Sequence, residues 1–161
     1  MTKVINADPR IAVPLDADEI RRFLTGSKSL LMHIGTNDAR GEPNVIPIVY
    51  YFDEGSKKIY ITTHNSSKKV ESLKKKNTIS FCIDDPNSPS KGVKGKGRVR
   101  IYEDINYIRI VSEKLLKKSI GSLEHPAARW LLNEIRLGNE VVLEIIPSYY
   151  STWDYSKGDL M

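Results

Sequence analysis

Cysteine is nearly absent: Cys82 is the only one in 161 residues, so the chain closes no internal disulfide and builds no cysteine-cluster metal site. Histidine is scarce as well. His33 and His125 have no partner at metal-ligand spacing, and no metal site is expected. No window reaches the ~18 apolar residues of a membrane helix. Asp8, Pro9, Pro14, Asp16, Asp18 and Glu19 occupy the region where a secretory signal needs an apolar run. A cytoplasmic protein without a membrane partner is the expectation. The glycine-rich phosphate loops are missing too. Gly92-Val93-Lys94-Gly95-Lys96-Gly97 has the wrong spacing for a P-loop, and no dinucleotide fingerprint follows a strand.

What is present suits one domain over residues 1–161, with 1–14 as an N-terminal arm. Hydrophobic residues make up 40 %, enough for a core, and charged residues 28 %. The net charge of +5 asks for an anionic partner or simply for solvent. Asp16 and Glu19 form a capping-box pattern, flanked by Leu15 and Ile20 as a hydrophobic staple. Ile20, Phe23 and Leu24 then give a helical stripe that Gly26 ends.

Six strands are expected. The first runs through Leu30–Ile34. The second spans Pro43–Phe52, apolar on both parities and so expected to be covered on both faces, although Pro47 belongs at an edge or an opening. Lys58–His64, Thr78–Ile83, Gly92–Tyr102 and Glu140–Ile146 follow. In the fifth, Val93, Gly95, Gly97, Val99 and Ile101 alternate with Lys94, Lys96, Arg98 and Arg100, a half-exposed strand with a basic outer row. Helices are expected over 66–76, on the Ile105–Leu116 stripe, and from Pro126 to Gly138. The class is mainly β, an antiparallel barrel with peripheral helices.

Chemistry concentrates at Thr62-Thr63-His64-Asn65-Ser66-Ser67-Lys68-Lys69. Lysine is the wrong charge for a helix N-terminus, which carries about half a positive charge. A bound phosphate reverses that objection, because amides, hydroxyls and ammonium groups then converge on it. Two solvated surface lysines are the plainer alternative. Lys74, Lys75 and Lys76 sit at the other end, where they suit the dipole. Cys82 reads as a buried small hydrophobe rather than a nucleophile.

The order and spacing of the hairpin Asn37–Ile48, the run Ile59–Thr63 leading to Ser67-Lys68-Lys69, the strand Gly92–Arg100, and the ending Ile146-Pro147 with Trp153-Asp154 resemble the pyridoxamine 5′-phosphate oxidase superfamily. The resemblance covers most of residues 17–155. It implies a six-stranded antiparallel split β-barrel and a homodimer with FMN between its subunits. It further implies that Ser67, Lys68 and Lys69 hold the FMN phosphate, with Thr62 and Thr63 beside the phosphate and ribityl chain. Val45, Ile46, Pro47 and Ile48 would run along the isoalloxazine ring. Trp153 suits either a stack near a flavin of the other subunit or a place in the core or dimer interface. The arginine and lysine that vitamin B6 oxidases carry at the ends of the second-strand motif fall near Val45 and Tyr50 here. The C-terminal arginine-x-histidine pair is lacking. Vitamin B6 oxidation is therefore not expected, and no residue is singled out as a catalytic acid or base.

The resulting expectation is an FMN-dependent oxidoreductase acting on a small molecule. The alternatives are a deazaflavin-dependent reductase of the same fold, a flavin binder without catalysis, or a basic nucleic-acid-binding protein. The last would use Lys74–Lys76 with the outer row of the fifth strand. Those runs lack the interleaved aromatics on which single strands stack, so nucleic acid is not the expected partner.

Overall fold

The computed structural model describes residues 2–6, 12–26, 31–87 and 89–158. Leu30 lies outside them. The capping box forms as its spacing dictates. Asp16 Oδ1 accepts from the Glu19 amide at 2.8 Å, and Glu19 Oε2 accepts from the Asp16 amide at 2.9 Å. It starts α1 (Ala17–Gly26), which buries Ile20, Phe23 and Leu24.

Eight strands occur among the described residues: β1 (Lys3–Asn6), β2 (Met32–Asn37), β3 (Pro43–Ile48), β4 (Tyr51–Asp53), β5 (Lys58–His64), β6 (Thr78–Asp85), β7 (Lys91–Tyr102) and β8 (Glu140–Asp154). They form one sheet in the order β3-β2-β6-β7-β8-β5-β4, with β1 beside β8. Every pairing is antiparallel except β1 with β8. Three helices follow the first: α2 (Lys68–Lys75), α3 (Ile105–Ser119) and α4 (Pro126–Arg136). The fold is the split barrel, mainly β with peripheral helices.

Four expectations need correction. The span 43–52 is two strands, not one, and they lie at opposite edges of the sheet. The chain crosses between them at Val49-Tyr50, where Tyr50 is buried and its hydroxyl donates to the Leu24 carbonyl at 3.1 Å. Nor is β3 covered on both faces. It is an edge strand with Val45 64 % exposed, and only Ile46 and Ile48 pack against the core. The expected arm contains a strand, β1, whose short sequence gives no periodicity to read. Finally, β8 does not stop at Ile146. Lys96 pairs with Tyr149 but Gly97 with Pro147, so a bulge takes up the residue between and accommodates the proline within a long strand.

The two faces of the sheet carry separate cores. Inside the barrel, Leu24, Met32, Ile34, Ile59, Ile61, Leu73, Leu143 and Ile145 pack together. On the outer face, Tyr60 and Val142 meet Ile108 and Val111 of α3 and Ile135 of α4. That explains the unbroken apolar run Val141-Val142-Leu143, which alternates between two dry environments. The basic row is as expected: Lys94, Lys96, Arg98 and Arg100 are exposed while the residues between them are buried. At Gly95 a Cβ would lie 2.3 Å from the Tyr149 carbonyl oxygen, and at Gly92 one would meet the Trp153 ring at 2.3 Å. Glycine at these positions lets β7 and β8 approach.

Candidate functional site

β5 ends beside the start of α2, and the turn between them builds a small polar corner. Ser67 has the extended backbone of an N-cap, φ −69° and ψ 147°, yet its side chain accepts no capping hydrogen bond. Its Oγ is closed off from solvent and has no partner. A buried hydroxyl without a partner costs free energy of about 1–3 kcal/mol. The first-turn amides of α2 are also of the kind a helix leaves without internal acceptors. Donor capacity therefore accumulates at one point with no protein acceptor to use it.

Lys69 completes the corner. Its Nζ donates to Thr63 Oγ1 at 2.7 Å, and burial pushes its ammonium below the ordinary lysine range while Glu140 pulls it back. Among the described residues, neither Lys68 nor Lys69 stands within ion-pair distance of a carboxylate. Lys68 is exposed at the first helical position. His64 accepts at Nδ1 from the Ser66 amide at 3.3 Å, and Ser66 Oγ lies 2.8 Å from the same nitrogen. Asn65 ties the turn to the connection between α4 and β8, its backbone amide donating to the Asn139 carbonyl at 2.8 Å.

The residues singled out in the sequence divide into three groups. Thr63, Ser67, Lys68 and Lys69 are brought together. Thr62 is not placed with them, because strand alternation sets it on the face of β5 that carries Tyr60, while Thr63 shares the inner face with Ile59 and Ile61. Val45, Ile46, Pro47 and Ile48 form the free edge of the sheet. Trp153 stands apart from the corner of its own chain. From Glu140, which pairs with His64, β8 runs roughly 40 Å along the strand before reaching it. There its Nε1 donates to Ser90 Oγ at 3.3 Å.

Glu140 is a feature the sequence reading misses, and the expectation of a buried Cys82 needs correction. Glu140 is buried at the head of β8, its carboxyl raised by burial and lowered by His64 and Lys69. A carboxylate heading the apolar run Val141-Val142-Leu143 is the signal that would have found it. Cys82 is half-buried on the outer face of β6 rather than in a core, with burial and Asp84 raising its thiol. No group of three or more metal-ligating side chains exists among the described residues.

The pyridoxamine 5′-phosphate oxidase family model matches residues 16–154, and the chain belongs to that family. No curated protein sequence matches the chain. Among solved structures, a conserved hypothetical protein of Mycobacterium tuberculosis superposes with a TM-score of 0.76 at 19 % identity, covering 92 % of this chain and 91 % of that one. An F420 reductase superposes with a TM-score of 0.63 at 20 % identity, covering 81 % and 94 %. A FAD-binding protein of Mesorhizobium loti gives 0.64 at 18 % identity, covering 87 % and 95 %. At such identities the likeness is one of fold.

Proposed function

We propose that the chain is a flavin-binding oxidoreductase that holds FMN by its phosphate at the start of α2 and acts as a homodimer on a small molecule. The observation that carries this reading is the unpartnered Ser67 hydroxyl beside Lys69, which makes no ion pair among the described residues, at a helix N-terminus. A phosphate accepts from all of them at once. In this reading Ser67 and the first-turn amides donate to the phosphate, Lys68 and Lys69 neutralise it, and Thr63 keeps the Lys69 side chain folded over the corner. Thr62 would contribute through its backbone. Val45, Ile46, Pro47 and Ile48 offer the flat ring an exposed strand edge, and Trp153 reaches a cofactor only from the second subunit. Bound flavin supplies hydride and electron transfer; the chain orients it and keeps water away.

The test compares FMN with riboflavin. Lys69→Ala weakens FMN by about 10- to 100-fold, the worth of one charge-assisted hydrogen bond, and leaves riboflavin unchanged. Lys75→Ala does little to either, since Lys75 is engaged with Glu71 at 2.9 Å. Equal losses for both ligands would refute the placement. A deazaflavin coenzyme on the same corner is the second reading, supported by the likeness to the F420 reductase. Protein as purified then shows one band near ~400–420 nm in place of the flavin pair near ~370 and ~450 nm. FMN that binds but accepts no hydride from a nicotinamide donor would leave a carrier without catalysis.

A further inference from the structure

Beneath α3, the outer face of the sheet buries a charge that the flavin reading does not use. Glu144 of β8 is 2 % exposed, in register with Tyr60 of β5 on one side and Arg100 of β7 on the other. Its Oε2 accepts from the Tyr60 hydroxyl at 3.1 Å, and its Oε1 accepts from the Tyr102 hydroxyl at 3.4 Å. Lys58 Nζ stands 3.1 Å from Oε1, with Arg100 further off at 4.0 Å. One carboxylate thus gathers two phenols and two cations. A buried ion pair seldom adds stability over apolar side chains of similar volume, so packing alone gives no reason for it.

The phenols form a cluster rather than a pair. Tyr51, Tyr102 and Tyr107 pack against the outer core that contains Tyr60. The ring centres of Tyr102 and Tyr107 are 4.7 Å apart, and those of Tyr51 and Tyr60 are 6.4 Å apart. Tyr60 is buried, whereas the other three reach solvent in part. Burial raises the phenols of Tyr51 and Tyr60 and pushes Tyr107 up to about 12, so none of the three gives up a proton near neutral pH. Removing an electron changes that. An oxidised phenol is a strong acid, and it sheds its proton to a base within hydrogen-bond reach. Glu144 Oε2 is such a base, already on the Tyr60 hydroxyl.

We propose that Tyr60 is a redox-active tyrosine with Glu144 as its proton acceptor, and that the cluster takes oxidising equivalents from small anionic one-electron oxidants of the carbonate-radical class. Lys58 and Arg100 give this part of the surface the charge that attracts such an anion. One electron leaves the Tyr60 ring by way of Tyr102 and Tyr107, and the radical departs as carbonate. The Tyr60 O–H bond breaks, and an O–H bond forms at Glu144 Oε2. A one-electron reductant of the ascorbate class later refills the ring, and the proton returns to the phenol. None of these steps involves the phosphate corner or a bound flavin.

The probe is the carbonate radical itself, made by pulse radiolysis of bicarbonate solutions of the purified protein. The neutral tyrosyl radical is followed by absorbance and by freeze-quench EPR. Trp130 is 61 % exposed and competes for the oxidant, so Trp130→Phe is the background throughout. Tyr60→Phe lowers the yield of long-lived tyrosyl radical several-fold, whereas Tyr155→Phe, outside the cluster, leaves it unchanged. Because the base is internal, the rate of radical formation does not respond to phosphate concentration. In Glu144→Gln the rate falls about tenfold and rises with phosphate, which then takes the proton. Thermal melting checks that each variant is folded, and Glu144→Gln/Lys58→Gln carries the same test should the lone amide prove unstable. A yield unchanged in Tyr60→Phe would overturn the proposal, as would equal phosphate dependence with and without the Glu144 carboxylate.

Discussion

Ser67, Lys69 and Glu140 show how the corner responds to protons. The Lys69 ammonium is lowered by burial, so as pH rises the corner loses its charge earlier than an exposed lysine would. Glu140 is raised by burial, and its negative charge disappears as pH falls. FMN affinity is therefore expected to strengthen on acidification through the Glu140 transition, and Glu140→Gln removes that rise; titrations from pH 4 to 7 decide it. Lys118 provides a second case away from the site. Its Nζ donates to the carbonyls of Leu24 and Tyr50 at 3.3 and 3.4 Å and lies 3.8 Å from the centre of the Tyr50 ring. Burial pushes it down to about 8. Between that value and the ordinary lysine range the unfolded chain binds more protons than the folded one, so folding grows more favourable as pH rises. Wild type should gain on Lys118→Met in urea midpoint between pH 7.5 and 9.5, and parallel midpoints would contradict the burial argument. The corner lysines could be read from sequence because their charge opposes the helix dipole. The idle hydroxyl of Ser67 could not, because a serine in that place ordinarily caps.

Local signals were the readable ones at the level of elements. The capping box of α1, the Pro126 start of α4 and the stop at Gly138, with φ 78°, each depend on neighbours within four residues. Asp16→Ala should cost about 1 kcal/mol, a fall of roughly 2–4 °C in Tm. What depends on distant chain was not readable. β3 is as apolar as a buried strand although it lies at an edge, and β1 is ordered by a parallel partner at the far end of the chain. The glycines of β7 hint at close approach without saying to what. Gly95→Ala places a methyl 2.3 Å from the Tyr149 carbonyl and should destabilise by about 1–3 kcal/mol or more. Gly26→Ala, where a Cβ meets nothing within 4 Å, should stay within about 0.5 kcal/mol. Similar losses at both sites would mean that β7 and β8 have room to spare.

For the whole molecule, the free apolar edge of β3 and the remoteness of Trp153 from its own corner both favour two copies in one functional unit. Light scattering should give twice 18.3 kDa, with FMN bound at one per chain. A monomer that still retains FMN would remove Trp153 and the second subunit from the site while leaving the corner intact. β8 has a further consequence. It is the strand on which β1, β5 and β7 all depend, and it lies C-terminal to every other strand described. On the ribosome, a chain lacking it has two further open sheet edges, on β5 and β7, and an incomplete core. Closure must wait until β8 has left the exit tunnel, so the nascent chain passes through an exposed state that is a natural client for chaperones.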